Sequence, residues 1–178
     1  MCGWQGYQAH QAEQAVAASN LFQSMLINTR SLDVDKAREY GQQIVTNYAN
    51  TDYAIFSAMI MAMLAVEEGD LAASKQHLEF AVNNADDSEL KSLAILRLER
   101  VAYAEGHSDK SISLLSTNDL QGYVAAASEL KGDIYAHKGD FTKAREEYAL
   151  ALSELTPGTG NYELLEMKLD STGSNNVN

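Results

Sequence analysis

Proline and cysteine are almost missing from this chain. Pro157 is the only proline in 178 residues, so nothing ahead of it forces a break in a helix, and the composition favours helices. Cys2 is the only cysteine and cannot close an internal disulfide, which leaves every redox compartment open. Positive charge is scarce as well. Thirteen Lys and Arg stand against twenty-five Asp and Glu, a formal charge of −12, and such a surface repels phosphate backbones and anionic head groups. Nucleic acid is therefore excluded as a partner class. The longest apolar run, AIFSAMIMAMLAV from Ala54 to Val66, has thirteen residues. A membrane-spanning helix needs ~20, so this run reads as a buried core helix. The chain as given has no charged segment followed by an apolar stretch at its start; a signal peptide or anchor is expected only upstream of Met1.

The residue patterns of a catalyst are lacking too. His10, His77, His107 and His137 show no His-x-x-x-His or His-to-Cys spacing, so exposed or helix-end histidines are expected, with no metal and no cofactor. Asp33 and Asp35 open DVDKAREYGQQI, which lacks the sixth-place glycine and twelfth-place glutamate of a calcium loop. Glu67, Glu68 and Asp70 flank a turn, where carboxylates are well solvated rather than held in the apolar pocket that acid-base catalysis needs. Cys2 sits at a terminus expected to fray, a poor place for a thiol nucleophile. No catalytic residue is assigned.

What is present is a recurrent turn. EEGD (67–70), AEGH (104–107) and HKGD (137–140) each put a glycine after a helical run, where a left-handed C-terminal residue is needed. Gly69, Gly106 and Gly139 lie 37 and 33 residues apart. Leu32 takes the same place 37 residues before Gly69, just ahead of the KARE of 36–39 that returns at 143–146. Periods of this length mean stacked helical hairpins, because one hairpin cannot bury its apolar face alone. Helices are expected near 5–28, 33–49, 52–68, 70–84, 88–105, 108–116, 121–138, 140–155 and 161–170, with a disordered tail from Ser171. Asp86 with Glu89 reads as a capping box, and Asp52 and Asn118 or Asp119 as caps of the helices that follow them.

SELKGDIYAHKGDFTKAREEYALALSELTP (128–157) carries the fullest form of the repeat. Gly132, Tyr135, Gly139, Ala144, Tyr148 and Ala151 follow the order of a tetratricopeptide unit, and Pro157 closes it. Small residues are required there because two helices at close approach leave no room for a larger side chain. In the two preceding units Ser74 and Ser111 replace the second-helix alanine and Glu99 stands at the crossing place. The fold class is therefore all-α: a tetratricopeptide-like helical-hairpin solenoid of about four units with a C-terminal helix.

Four segments carry a closer resemblance: DYAIFSAMIMAMLAVEEGDLAASKQHLEFAV, ELKSLAILRLERVAYAEGHSDKSISLL, SELKGDIYAHKGDFTKAREEYALAL and LLEMKLDSTG. Together they resemble the periplasmic part of the YfgM family, the ancillary subunit of the bacterial SecYEG translocon, over roughly residues 3–173. The most specific pieces are LRLERV (96–101), ELKGD (129–133) and EMKLD (166–170). The resemblance implies a cytoplasmic N-terminus and one transmembrane helix upstream, with CGWQGYQAHQ where that helix emerges and Trp4 and Tyr7 as interfacial aromatics. Residues 1–30 are then a juxtamembrane helix that opens the array, 31–157 the repeats, 158–172 a capping helix and 173–178 a disordered tail. The resemblance further implies a place on the periplasmic side of the inner membrane. The partners it implies are SecYEG, a PpiD-like membrane-anchored chaperone and unfolded client chains, with membrane contact only through the absent anchor. A second class stays open: a scaffold of another envelope assembly, such as a lipoprotein with Cys2 as its lipidated residue.

Counting back from the turn glycines places the concave face of such an array. Gly69 gives Phe56, Met59 and Met63; Gly106 gives Leu96, Arg100 and Tyr103; Gly139 gives Glu129, Asp133 and His137. The earlier part is apolar and rich in methionine, which repacks readily against varied partners, and the later part is polar. Two readings of this face stay open: a free groove, or one closed by core packing and by the terminal helix through Leu164, Leu165, Met167 and Leu169.

Overall fold

The computed structural model describes residues 2–159 and 161–174, and for residues 2–5 and 174 the backbone alone. The side chains of Cys2 and Trp4, and tail residues 175–178, lie outside the described part. Among the described residues the structure is all helix: α1 (Cys2–Arg30), α2 (Val34–Asn47), α3 (Asp52–Glu67), α4 (Leu71–Asn84), α5 (Ser88–Ala104), α6 (Ser108–Thr117), α7 (Val124–His137), α8 (Phe141–Ser153) and α9 (Tyr162–Ser174). The chain forms two compact units, Met1–Ala94 and Ile95–Asn178.

Four turns share one design. Leu32, Gly69, Gly106 and Gly139 all take positive φ, at 62°, 80°, 89° and 79°. The next amide in each case donates to the carbonyl five residues back: Asp33 to Asn28, Asp70 to Ala65, His107 to Ala102 and Asp140 to Tyr135, at 2.8–2.9 Å. Leu32 thus occupies the glycine place that its spacing predicts. The turn then starts the following helix. Asp33, Asp70 and Asp140 accept from the backbone N–H of Lys36, Ala73 and Lys143, a cap worth about 1 kcal/mol each. His107 holds the same place without a side-chain cap bond, and α6 behind it is the shortest helix.

Three expected caps are corrected. Asp87, not Asp86, caps α5, its Oδ1 accepting from Leu90 N–H at 2.8 Å. Asp52 is the first residue of α3, after Thr51. Asn118 closes α6 through Nδ2 to the Leu114 carbonyl, and Asp119 accepts from Gln121, while α7 begins only at Val124. The reason is Gly122, whose φ of 77° adds a further turn before the helix. At the other end α9 runs on to Ser174, so the stretch from Ser171 is helical as far as the description reaches. Thr172 is buried there and accepts from Arg145 Nε at 3.4 Å.

The hairpins close at two places counted from the turn. Five residues after it stand Ala37, Ser74, Ser111 and Ala144, all small and all fully buried. The crossing itself pairs the residue seven before the turn with the one nine after. In α7 and α8 these are Gly132 and Tyr148, and a Cβ on Gly132 would lie 2.5 Å from the Tyr148 ring. In α1 and α2 they are Met25 and Gly41, with the sizes exchanged: a Cβ on Gly41 would lie 2.9 Å from Met25 Cε. Ala62 with Leu78, and Glu99 with Leu115, hold the intermediate places, all buried.

Unit 1 gathers Met25, Ala37, Met61 and Leu64 in one cluster and Ala18, Ile44 and Ala54 in another. Unit 2 gathers Leu96, Leu115, Leu120, Ala127, Leu130 and Ile134, and separately Ala144, Tyr148, Ala151 and Leu165. An ion pair ties each unit near a turn. Arg38 on α2 meets Glu68, one residue before Gly69; Asp109 on α6 meets Lys138, one residue before Gly139.

Two substitutions check this account. Leu32 is 83% exposed, so Leu32→Gly loses no packing and removes a left-handed penalty of about 1 kcal/mol. Thermal unfolding is expected to rise by about 2–4 °C. Gly132→Ala is expected to cost about 1–3 kcal/mol by overpacking against Tyr148. Adding Tyr148→Leu, which copies the Ala62 and Leu78 arrangement, is expected to recover part of that loss in the same melting experiment.

Candidate binding surfaces

In unit 1 the register points to α3, DYAIFSAMIMAMLAVE, which is largely apolar all round, so that part of its apolar surface stays open although it packs against α1, α2 and α4. Phe56 and Met63, two turns apart on one face, are 36% and 44% exposed, and Val66 is exposed one turn further on. Phe56 is steadied from behind by Phe22 of α1, whose ring centroid lies 6.1 Å away. Met59, read from the register as part of the same face, is only 3% exposed and is a core residue.

In unit 2 Leu96 is also core, packed in the cluster that includes Ala127, Leu130 and Ile134 of α7. Arg100 is exposed, and Tyr103 is half-buried with its ring edge-on to His137 at 6.1 Å. Glu129 and Asp133 are occupied. Lys168 of α9 donates to Glu129 Oε1 at 2.7 Å and to both oxygens of Asp133 at 2.8 and 2.9 Å, while its ammonium stands 5.8 Å from the Tyr148 ring centroid. The Tyr148 hydroxyl donates to the same Asp133 at 2.8 Å.

The physical effects oppose one another at this site. Burial alone would pull the Lys168 ammonium down, but the hydrogen bonds and charges of Asp133 and Glu129 outweigh it and hold it above the usual lysine range. For Tyr148 burial, and then the bond to Asp133, push the phenol far above its ordinary value. Lys168 therefore stays an ammonium near neutral pH, and its bonds to Glu129 and Asp133 act as a structural clamp.

Of the side chains expected to let α9 close the face, Leu165 is buried and Leu169 partly so, whereas Leu164 and Met167 point to solvent. A common pattern separates the register residues. Those ten places before the turn, Met59, Leu96 and Glu129, are buried; those six before it, Met63, Arg100 and Asp133, are exposed or half-exposed. For Leu96 and Glu129 the cause is visible, since α7 covers the first and Lys168 of α9 the second.

A polar cleft of about 310 Å³ in unit 1 lies between Tyr7, His10, Gln11 and Gln14 of α1 and residues 47–51. Tyr7 itself is exposed, its hydroxyl accepting from Gln11 Nε2. Among the described residues no group of three or more His, Cys, Asp or Glu is placed to hold a metal, and no helix is long and apolar enough to cross a membrane.

Residues 1–174 match the family described as a tetratricopeptide repeat-like domain. A Haemophilus influenzae protein named ancillary SecYEG translocon subunit is 32% identical over 151 residues, which is 85% of this chain and 74% of that one. Proteins of the same name from Neisseria gonorrhoeae and Escherichia coli K12 are 27% and 24% identical, over 95% and 96% of this chain and 83% and 82% of theirs. The crystal structure of MamA protein superposes with a TM-score of 0.65 at 16% identity, covering 89% of this chain and 87% of that one. At that identity the likeness concerns the fold.

One titration follows from unit 1. His77 on α4 is half-buried; burial first, and the Arg38 charge second, hold its imidazole below the usual histidine range, with Asp70 opposing. The unfolded chain then binds a proton more readily than the folded one. Stability is full above the ordinary histidine pKa of about 6.5 and falls as pH drops through it toward the folded value. His77→Gln is expected to flatten the melting temperature between pH 7.5 and 5.5 relative to the parent chain, and an unchanged slope would remove His77 as its source.

Proposed function

The chain belongs to the tetratricopeptide repeat-like family of ancillary SecYEG translocon subunits, and from that premise we propose that it is a non-catalytic protein-interaction module serving the translocon. In this reading it works on the periplasmic side of the bacterial inner membrane, beside a PpiD-like chaperone, and meets unfolded client chains as they emerge. The names of the relatives support the association with SecYEG. The observation that supports client contact is on α3, where Phe56, Met63 and Val66 stay exposed together on one helix. Phe56 is braced by Phe22 and Met63 is flexible, a combination of fixed ring and adaptable thioether that suits apolar segments of varied sequence.

The acidic surface complements this role. A net charge of −12 keeps a domain with exposed apolar side chains soluble and favours basic partners over acidic ones. In unit 2 Arg100, Tyr103 and His137 form the accessible remainder of the register face, a polar surface on which a chaperone partner would rest. Met59, Leu96 and Glu129 contribute from beneath by holding those helices in place.

Three variants separate surface from core. Phe56→Asp and Met63→Asp are expected to lower crosslinking to PpiD-like partners or unfolded clients several-fold with a melting temperature within about 2 °C of the parent, as surface changes usually allow. Met59→Asp is expected to cost 3 kcal/mol or more, on the order of a buried unpaired carboxylate. Unchanged crosslinking in both surface variants would sink the α3 assignment.

A further inference from the structure

The terminal helix presents one face to its neighbours with a clear chemical pattern. Leu165, Lys168, Leu169 and Thr172 stand at i, i+3, i+4 and i+7 and are buried or partly buried, as are Tyr162 and Gly173 near the two ends of α9. The leucines rest on Ala144, Tyr148 and Ala151 of α8, and the lysine passes the Tyr148 ring to reach Glu129 and Asp133 of α7. The α7 and α8 hairpin thus offers an apolar shelf of two alanines, an aromatic ring and, beyond it, two carboxylates one helical turn apart.

This acceptor does not depend on α9 for its own shape. The hairpin is closed by the turn at Gly139, by the Asp140 cap, by the Gly132 and Tyr148 crossing and by the Lys131 to Glu147 ion pair at 2.9 Å. Residues 154–159 and 161 are non-helical, with Pro157 and a left-handed Gly158, so α9 hangs on a short tether. Its outer face carries Leu164 and Met167, the latter 69% exposed, among Glu163, Glu166 and Asp170.

We propose that the α7 and α8 hairpin is an acceptor for an amphipathic helix bearing a lysine between leucines, filled in cis by α9 and open to such a helix on a partner chain when α9 lifts away. Charge complementarity fixes one position of the partner's helix. Glu129 and Asp133 call for a cation where Lys168 now stands, and the small shelf admits leucine at i and i+4 around a lysine at i+3. The tether sets the threshold, since a partner helix must compete with an effective concentration on the order of millimolar. The inference takes from the proposed function only that the partner is a protein; it does not involve the α3 surface, and its test uses neither translocon nor client.

The test uses the full chain and, as probe, a fluorescent synthetic peptide of residues 161–174. Lys168→Glu sets a like charge against Glu129 and Asp133 and is expected to lower hydrogen-exchange protection of α9 at least tenfold while Ala144–Ala151 stay protected. That variant is expected to bind the peptide at least 100-fold more tightly than the parent chain. Lys168→Met, which keeps the apolar stem, is the second variant, with intermediate release expected. Charge reversal by Glu129→Lys and Asp133→Lys in the Lys168→Glu chain is expected to abolish peptide binding. Three results overturn the proposal: α9 stays protected in both Lys168 variants, the released chain ignores the peptide, or protection of Ala144–Ala151 disappears together with that of α9.

Discussion

Two helices approach only as closely as the side chains at their crossing permit, and in this protein every hairpin is fitted around that limit. The sum of two volumes matters more than either residue. Gly132 makes room for Tyr148, and Gly41 makes room for Met25, so the same gap is filled from opposite sides. The turn chemistry serves this contact. A left-handed residue closes the first helix, the next amide reaches five residues back, and in three of the four turns an aspartate side chain starts the second helix within one residue of that reversal. With the return so short, the residues seven before and nine after the turn have to face each other.

Much of this was legible in the chain because it is local. Glycine spacing placed the turns, and the same spacing identified Leu32 as a left-handed residue although leucine disfavours that conformation. The crossing in the first hairpin was not legible: a reader looking for a small residue seven places before the turn finds Met25, and only the structure shows that Gly41 compensates. The aspartate caps could have been found, since Asp33, Asp70 and Asp140 each follow the turn residue directly. Register alone also could not tell which residues of a face stay open. Met59 and Met63 are both methionines four places apart on α3, and their difference in exposure is set by neighbours that the sequence of α3 does not contain.

The segments ELKGD and EMKLD, which carried the most specific resemblance to the family, meet in space. Lys168 of the second binds Glu129 and Asp133 of the first. Neither motif explains itself. The carboxylates of one are tolerable under cover because the other supplies a cation, and the cation is tolerable because burial is offset by three hydrogen bonds. The chemistry of the chain is accordingly divided between its units. Unit 1 leaves apolar surface exposed on α3, and unit 2 spends its polar residues on holding the last helix.

The paired charges beside the turns have a consequence for the order of the hairpins. In unit 1 the turn residue before Gly69 is an acid, Glu68, and its mate is Arg38; in unit 2 the residue before Gly139 is a base, Lys138, and its mate is Asp109. Exposed pairs of this kind contribute only about 0.2–1 kcal/mol each. Their polarity is reversed, however, so a gene rearrangement exchanging the second and fourth hairpins would set lysine against arginine and glutamate against aspartate. The repeats look interchangeable by size and spacing, yet the charge pairs at these two junctions are marks of position that an exchange would turn into repulsions.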